Sequence, residues 1–472
     1  MTTKPTAGVS AIRSGPMGLS LLADIQKDPL GAAGRLHGCF GDVARLTILF
    51  RRIYYFFDPE AVRQILVGHH ADFARETRLL RILESFQGRN VLTSEGQDWE
   101  RQRRILAPGF SPKRVAGYVE LMDAAINDSV REELPALIGQ SAVVDVDFLT
   151  TRVTMDVILR TLFSHVTTRE ETSRISTAIR TLTRQSMREV FWPFIPPKWL
   201  PYPGRAAKLK SRQVIHSLIA SQVDARTRAP RSADAAGQDV LDMMLAARDD
   251  NPTTGSATLS SQEIHDNCFL LFSAGFDTAS SALTWWIGLM AKYPSVVDQL
   301  RAEMCSEGVT PSSMEAVARL PYLNATIKEA MRLYPPSTAL ITRVALRDVV
   351  IGETPVPKGT LAIVPIWQLH HDHRSFAEPG EFRPGRFMPG APEIPRSAYL
   401  PFGAGPHFCL GQHFASMEMA LIAAHIVRNF DLSLEPGAVL PEPVVDIALK
   451  PKTTLRVRFT RRQGDIGASR VQ

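Results

Sequence analysis

The sequence predicts a mostly α-helical fold with a minor β region. Apolar residues recur at mainly helical spacing from about residue 94 to residue 350. Two segments in which apolar and polar residues alternate between turn residues, 42–57 and 348–360, predict β-hairpins. Helical spacing returns in residues 409–430, and alternation through residues 447–459 predicts closing strands. Helices therefore make up most of the predicted fold, and its strands are confined to short segments.

Composition and length predict one large domain. The 472 residues are 44% hydrophobic and 22% charged, which allows a large core and excludes a mainly disordered chain. Length alone suggests about three domains, but no long Gly/Ser-rich or like-charged linker divides the sequence. We therefore predict an N-terminal segment at 1–40, a single domain at 41–460 and a disordered tail at 461–472.

Charge and cysteine spacing exclude several classes of protein. The net charge is +6, but the basic residues are dispersed and lack a nucleic-acid reader motif, so no nucleic-acid partner is expected. The four cysteines are widely spaced, which excludes the usual zinc patterns and indicates reduced thiols in a cytosol. There is no signal-peptide pattern and no run of the ~20 apolar residues that span a membrane. We expect a cytoplasmic protein without a transmembrane anchor.

Capping signals mark the ends of two predicted helices. Asp58-Pro59 follows the first hairpin and predicts a capped helix start. Ser260 and Glu263 form a capping box for a helical pattern from Gln262 to about Tyr293, where Pro294 ends it. At ~1.5 Å per residue this pattern of roughly 32 residues spans nearly 50 Å. The sequence thus predicts one helix long enough to cross a whole domain.

Cys409 is the residue that carries most information. It lies in Phe402-Gly-Ala-Gly405-Pro-His407-Phe-Cys409-Leu-Gly411, a loop that leads directly into a helical pattern. Backbone N–H groups and the helix dipole favour a thiolate at a helix N-terminus, and glycines let the backbone approach a flat ligand closely. Most single intracellular cysteines are small buried apolar residues. Five residues at fixed offsets, Phe402, Gly405, His407, Cys409 and Gly411, instead favour metal ligation or nucleophilic attack.

A second unusual segment, Ala274-Gly275-Phe276-Asp277-Thr278, lies inside the long predicted helix. Glycine and an Asp-Thr pair are poor choices for a buried helix interior. Taken alone, the segment is equally well explained by a tolerated glycine and a solvated acid. Its interpretation therefore depends on the Cys409 loop.

Together the two motifs resemble the cytochrome P450 family. The loop matches the family's haem-binding pattern Phe-x-x-Gly-x-basic-x-Cys-x-Gly, and the helix matches (Ala/Gly)-Gly-x-(Asp/Glu)-Thr. The resemblance covers about residues 40 to 458 and implies the P450 fold, with haem between the long central helix and the cysteine loop. It implies that Cys409 is the axial ligand of haem iron. It further implies haem contacts at Phe402, Gly405, Gly411, Ala274 and Gly275, and catalytic proton delivery by Asp277 and Thr278, for which an acid and an alcohol beside a dry pocket are chemically suited.

The resemblance also implies cationic partners for the haem propionates and a supporting network. The expected propionate partners are Trp99, Arg103, Arg343 and His407, the last at a position where arginine is commonest. Trp99 and Arg103 are four residues apart, so one helix face can present both. Glu329, Arg332 and Arg386 are expected to form a buried network, although an ordinary surface pair is the default for Glu-x-x-Arg.

Apolar and aromatic residues at matching family positions are expected to line the substrate pocket. An apolar lining favours a small lipophilic substrate, but the same side chains are equally natural in a protein core. The candidates are Phe86, Phe191, Phe272, Phe276, Ala339, Leu340 and Leu449.

The function implied is that of a haem-thiolate monooxygenase, which uses haem b to insert one atom of O₂ into the substrate. No flavin or ferredoxin region is present, so electrons are expected from NAD(P)H through a separate ferredoxin or flavodoxin-type protein. That partner is expected to dock on a basic proximal face that includes Arg101 and Arg104. Two alternatives remain open: a peroxide-driven peroxygenase, whose known relatives usually replace the acid–alcohol pair, and a non-catalytic haem redox or gas sensor.

Overall fold

Helices dominate the computed structural model of the chain, which confirms the predicted fold class. The structure describes residues 19–48, 50–190, 192, 201–229, 231, 238–248, 258–309, 313–446 and 448–463. The helices in these ranges are α1 (Leu19–Lys27), α2 (Pro29–Phe40), α3 (Pro59–Arg63), α4 (Thr77–Gln87), α5 (Gly96–Leu106), α6 (Pro112–Ala116), α7 (Val119–Glu133), α8 (Val146–Phe163), α9 (Arg169–Val190), α10 (Arg205–Arg228), α11 (Val240–Ala246), α12 (Ser261–Lys292), α13 (Pro294–Ser306), α14 (Met314–Ala318), α15 (Pro321–Leu333), α16 (Ile366–His370) and α17 (Gln412–Asn429).

The strands in the same ranges are short. They are β1 (Val43–Ile48), β2 (Arg51–Phe56), β3 (Phe73–Arg75), β4 (Ser141–Asp145), β5 (Arg343–Ala345), β6 (Val349–Ile351), β7 (Thr354–Val356), β8 (Leu361–Ile363), β9 (Phe430–Ser433), β10 (Pro443–Val445), β11 (Leu449–Pro451) and β12 (Arg456–Arg461). Within the described ranges, no helix combines the length and the apolarity needed to span a membrane.

The chain divides into two compact units. The smaller unit takes the chain up to Thr77, then Thr338–Pro379 and Ile394–Phe408. The larger unit takes Arg78–Ser337, Gly380–Glu393 and the chain from Cys409 onward. Because each unit is assembled from separate stretches of sequence, the proposed single domain at 41–460 stays a prediction.

The smaller unit is built on a five-stranded sheet in the order β1-β2-β8-β5-β3. β1 and β2 form the hairpin predicted for 42–57, with Leu46 opposite Ile53. The Asp58 carboxylate accepts a hydrogen bond from the Ala61 N–H at 2.8 Å and caps α3, as predicted. β6 and β7 form the second predicted hairpin. Local turn and capping signals therefore place these elements correctly.

The larger unit is organised around α12, the predicted long helix. The Ser260 hydroxyl accepts from the Glu263 N–H at 3.2 Å, and the Glu263 carboxylate accepts from the Ser260 N–H at 2.8 Å. α12 runs for 32 residues and ends before Pro294. It packs most extensively against α8. The predicted capping box and helix length are thus confirmed.

The C-terminal part of the larger unit follows the predicted order of helix and then strands. α17 begins three residues after Cys409, and β12 pairs with both β4 and β9. β10 and β11 form a separate two-stranded sheet. β12 ends at Arg461. Of the predicted tail, residues 464–472 lie outside the described residues, as do residues 1–18 of the predicted N-terminal segment.

Candidate active site

Cys409 belongs to the larger unit and precedes α17 by three residues. The residue is exposed, yet the protein atoms around its sulfur desolvate it and raise the pKa of the thiol. The backbone N–H of Gly411 and the positive charge of Arg103 act in the opposite direction. The desolvation disfavours an uncompensated anion at this sulfur. A cation beside the sulfur would therefore favour the thiolate form of Cys409.

The part of the cysteine loop that precedes Cys409 belongs to the smaller unit, and its conformation depends on close backbone packing. Gly403 and Gly405 both have φ of +73°. A Cβ on Gly405 would lie 1.9 Å from the Leu66 carbonyl oxygen, so glycine is required by a neighbouring backbone as well as by its own conformation. A Cβ on Gly411 would meet no protein atom within 4 Å. Only Gly411 thus has the open surroundings that close approach of a flat ligand requires.

Gly405→Ala is expected to lower the free energy of unfolding more than Gly359→Ala. Gly359 is a matched control because its φ is +81° and a Cβ there meets nothing within 4 Å. Both alanines carry the strain of a positive φ, about 1–2 kcal/mol, but only the one at 405 must also displace the Leu66 carbonyl. Denaturant unfolding of both variants measures the difference. Equal losses would show that the Leu66 contact has no influence.

The α12 motif exposes one face to open space. Ala274 and Thr278, one helical turn apart, are exposed. Phe272, which precedes them, and Phe276, which lies between them in the sequence, are buried. The Thr278 hydroxyl donates to the Ala274 carbonyl at 2.8 Å. A Cβ on Gly275 would lie 3.0 Å from Ile158 Cδ1, so this glycine also allows α8 to pack closely. A small residue and an alcohol are therefore presented together on a mostly buried helix.

Asp277 points away from Thr278 and is held by a residue that the sequence did not indicate. Its carboxylate lies 3.2 Å from the Lys450 ammonium. Lys450 in turn lies 2.9 Å from Asp147. Asp147, Asp277 and Lys450 come from α8, α12 and β11, and no spacing in the sequence connects them. The acid is thus part of an ionic cluster rather than simply solvated.

The predicted propionate partners are divided between the units. In the larger unit, α5 presents Trp99 and Arg103 together, with the Arg103 guanidinium 5.9 Å from the centre of the Trp99 ring and both residues half-buried. In the smaller unit, Arg343 is buried in β5 and donates to the Ile341 carbonyl at 2.6 Å, and His407 is half-buried. The structure therefore brings Trp99 and Arg103 into one place, as the helical spacing predicts.

The assignment of Arg101 to a docking face is wrong. Arg101 is only 7% exposed, and its guanidinium pairs with Glu263 and donates to the Thr258 carbonyl. Arg101, Arg103 and Arg104 project from different sides of α5, so their side chains have different surroundings. Arg104 is exposed and stays a candidate for the docking face.

Glu329, Arg332 and Arg386 form a compact buried network in the larger unit. The Arg332 guanidinium donates to both Glu329 oxygens at 2.8 Å, and the side chains of both residues are 0% exposed. Arg386 donates to the same carboxylate at 3.0 Å, and the Arg383 backbone N–H donates at 2.9 Å. One carboxylate thus holds two cations and ties α15 to the segment around Arg386.

Most of the predicted pocket residues are buried in the structure. Leu449 is fully buried, and its carbonyl accepts from the Ser281 hydroxyl and the Trp285 indole. Ala339 is exposed and Leu340 half-buried in the smaller unit, and Phe191 lies outside the described residues. The remaining predicted pocket residues are buried aromatic side chains: Phe86, Phe272 and Phe276. Side chains that line an internal pocket and side chains packed in a core are both buried, so the pocket role of these residues stays a prediction.

Comparison with known proteins gives one consistent result. A family model described as Cytochrome P450 matches residues 16–457. A cytokinin hydroxylase from Arabidopsis thaliana is 30% identical over 405 residues, 84% of this chain and 76% of the relative. A putative cytochrome P450 132 from Mycobacterium tuberculosis is 29% identical over 447 residues, 92% of each chain. A steroid 17-alpha-hydroxylase/17,20 lyase from Oryzias latipes is 30% identical over 439 residues, 85% of this chain and 83% of the relative.

Proposed function

Because the chain belongs to the cytochrome P450 family, we propose that Cys409 is the axial ligand of a haem b iron and that the substrate is a small lipophilic molecule. The family identified from the two sequence motifs is confirmed, and the chain is a cytochrome P450 monooxygenase, an oxidoreductase with a haem cofactor. The balanced reaction is R–H + O₂ + two electrons + two protons → R–OH + H₂O. The observation that carries the ligand assignment is the position of Cys409, three residues before α17 and beside the Gly411 backbone N–H and the charge of Arg103.

The residues present fit a haem group. The Gly411 backbone N–H and the charge of Arg103 favour a thiolate at Cys409, and the open surroundings of Gly411 leave room for a flat ring. Trp99 and Arg103 offer an indole N–H and a guanidinium suited to propionate carboxylates. When bound, haem supplies O₂ activation, which thiolate donation to the iron assists. Arg343 and His407 stay predicted propionate contacts.

The protein's own contribution to the chemistry is positioning and proton supply. We assign proton delivery to Asp277 and Thr278, with Thr278 on the exposed face that it shares with Ala274 and Asp277 paired with Lys450. Ala274 and Gly275 keep that side of α12 free of bulk. The network of Glu329, Arg332 and Arg386 is structural, since it holds two segments together and its Glu329–Arg332 pair is closed to solvent.

Electrons are proposed to come from NAD(P)H through a separate ferredoxin or flavodoxin-type protein in the cytoplasm. An exposed basic side chain such as Arg104 suits docking of an acidic partner. Turnover with NAD(P)H, a reductase and such a carrier tests this proposal. Equal turnover with hydrogen peroxide alone would favour a peroxygenase instead.

A spectral binding screen tests the proposed substrate class. Fatty acids, terpenoids, steroids and small aromatic compounds are added to the oxidised protein, and a change of iron spin state reports displacement of bound water. The steroid hydroxylase among the relatives favours a lipophilic molecule. Spin-state changes with lipophilic compounds are expected. A response confined to small charged metabolites would contradict the proposed class.

Thr278→Ala is expected to keep NAD(P)H consumption and to divert much of it to hydrogen peroxide. Without the hydroxyl, protons reach the reduced oxygen in the wrong place, so the O–O bond is not cleaved productively. Product and peroxide formed per NAD(P)H are measured together. Ser273→Ala, which removes another α12 hydroxyl that bonds to the Leu270 carbonyl, is the control. An unchanged product yield in Thr278→Ala would remove Thr278 from the mechanism.

A further inference from the structure

The C-terminal end of α4 is bound by two side chains of α10. α4 ends at Gln87, so the Phe86 carbonyl is one of the last four carbonyls that a helix leaves without a partner of its own. It accepts instead from the His216 Nε2 at 3.0 Å and from the Arg212 Nε at 3.3 Å. Since a carbonyl can only accept, the neutral His216 ring carries its proton on Nε2. α10 thus caps α4.

The same imidazole packs against α12. The His216 and His265 rings are stacked, with their centres 4.8 Å apart and their planes 14° from parallel. The centre of the His216 ring also lies 5.1 Å from that of Phe269, and the Phe269 ring meets the Phe86 ring edge-on at 6.2 Å. His216 is therefore the side chain at which α4, α10 and α12 meet.

The chain that follows α4 is attached to α12 by Asp266. This carboxylate is buried and accepts from the Arg89 backbone N–H and from the Gln262 side-chain amide, both at 2.8 Å. A Cβ on Gly88 would lie 2.1 Å from Asp266 Cγ, so the two segments are closely packed. The contact of α4 with α12 thus depends on a carboxylate, whereas its contact with α10 includes an imidazole, a group that ordinarily titrates near neutral pH.

Positive groups surround His216. The Arg212 Nε lies 3.2 Å from the His216 Nε2, and His265 is stacked on the ring. Asp266 is the opposing anion, 3.5 Å from His265 Nδ1, and its oxygens already accept two hydrogen bonds. A second proton on His216 therefore adds a cation to a site whose carboxylate is in use.

Charged groups on the other neighbouring elements are engaged in pairs of their own. Glu189 of α9 pairs with Lys208 at 2.7 Å, and Arg89 after α4 pairs with Asp98. The charge balance at His216 is thus set by Arg212, His265 and Asp266.

These surroundings favour the neutral form of His216. Burial lowers the pKa of His216, and Arg212 and His265 lower it further, while the Phe86 carbonyl and Asp266 act in the opposite direction. An imidazole released into water regains its ordinary, higher pKa. The packed arrangement is therefore fully favoured above that ordinary pKa and loses stability as the pH falls through the lowered one.

We propose that the stacked His216–His265 pair is a pH-sensitive contact that holds α10 on α4 and α12 at neutral pH and releases it in acid. When both rings are protonated, they and Arg212 place three cations against the carboxylate of Asp266. His216 then leaves the stack for water, and the Phe86 carbonyl loses one of its two α10 donors. The inference goes beyond the proposed function, but its consequence for substrate binding rests on that function, because Phe86 is a predicted pocket residue.

Hydrogen–deuterium exchange of the haem-loaded protein at about pH 7.5 and about pH 5.5 tests the proposal, since ordinary histidines change charge between these values. Exchange rates are corrected for the intrinsic effect of pH on amides, and haem absorbance confirms that the protein stays loaded. Amides at the end of α4 and in the middle of α10 are expected to exchange severalfold faster at the lower pH. Unchanged corrected rates would overturn the proposal.

His216→Phe is the decisive variant, because phenylalanine keeps a ring in contact with His265 and Phe269 but cannot be protonated. Its corrected exchange rates are expected to be nearly equal at the two pH values. His265→Gln removes the second titrating ring and is expected to reduce the response to pH. A full parental response in His216→Phe would overturn the proposal. If His216→Phe does not fold, a full parental response in His265→Gln has the same meaning.

His165→Gln is the matched control. His165 is also a partly buried histidine that reaches α10, where its Nδ1 lies 3.5 Å from the Gln222 amide, and its Nε2 lies 3.2 Å from Glu171. This variant is expected to keep the parental response at the contact between α4 and α10. If His165→Gln abolishes the response as His216→Phe does, acid acts on α10 as a whole, and the specific role of the His216–His265 pair is overturned.

Ligand binding separates this inference from the proposed function. The spectral titration is repeated at both pH values with the uncharged steroid or terpenoid that gives the largest spin-state change in the screen. Binding is expected to weaken in acid for the parent protein but not for His216→Phe. If exchange responds to pH and binding does not, the pair opens as proposed and the assignment of Phe86 to the pocket fails.

Discussion

Cys409→Ser is expected to abolish NAD(P)H-driven product formation. A serine hydroxyl is not ionised at neutral pH and donates far less charge to a metal than a thiolate, so the electron donation that helps to cleave the O–O bond is lost. Product formation is measured with saturating reductase and carrier protein, and haem content is measured by absorbance. Turnover is expected below detection even in molecules that retain haem.

Cys305→Ser controls for general effects of cysteine replacement. Cys305 is also exposed, but it lies on α13 and no motif surrounds it. This variant is expected to match the parent in haem content and turnover. A Cys409→Ser protein with parental turnover would remove Cys409 from the chemistry.

Glu329→Gln is expected to have the largest effect on stability. The amide keeps the shape of the side chain but leaves Arg332 and Arg386 without their shared anion. Arg332 is fully buried, and truncating one partner of a buried pair typically costs ~3–5 kcal/mol. Denaturant unfolding of the haem-loaded protein gives the loss. Reduced haem content in the purified variant is expected to accompany it.

Glu60→Gln is the control, because it breaks a Glu–Arg pair with the same helical spacing on the protein surface. Glu60 and Arg63 are also three residues apart on a helix and lie 2.7 Å from each other, but their side chains are 56% and 48% exposed. Water solvates both charges when the pair is broken, so a small change in unfolding is expected. Similar losses for Glu329→Gln and Glu60→Gln would show that burial does not decide the strength of the Glu329 network.

Local signals account for most of what the sequence predicts correctly. The Ser260–Glu263 capping box and Pro294 define α12 because caps and breakers act within a few residues. The hairpins at 42–57 and 348–360 follow from alternation and turn residues for the same reason. The Cys409 loop and the Asp277-Thr278 pair could be identified because each occupies one continuous stretch.

Contacts between distant segments account for what the sequence did not predict. Lys450 reaches Asp277, and Arg101 reaches Glu263, only after separate elements have packed together. The role of Gly405 depends on the Leu66 carbonyl, which lies far away in the sequence. Pocket and core positions both favour apolar side chains, so the sequence does not assign Phe272 and Phe276 to one or the other.

The absorption spectrum of the reduced, haem-loaded protein with carbon monoxide tests the central claim most directly. If the Cys409 thiolate binds the iron opposite carbon monoxide, its charge donation is expected to move the main absorption band strongly to longer wavelength. A band at the shorter wavelength given by haem with a neutral axial ligand would contradict the assignment of Cys409 as the iron ligand.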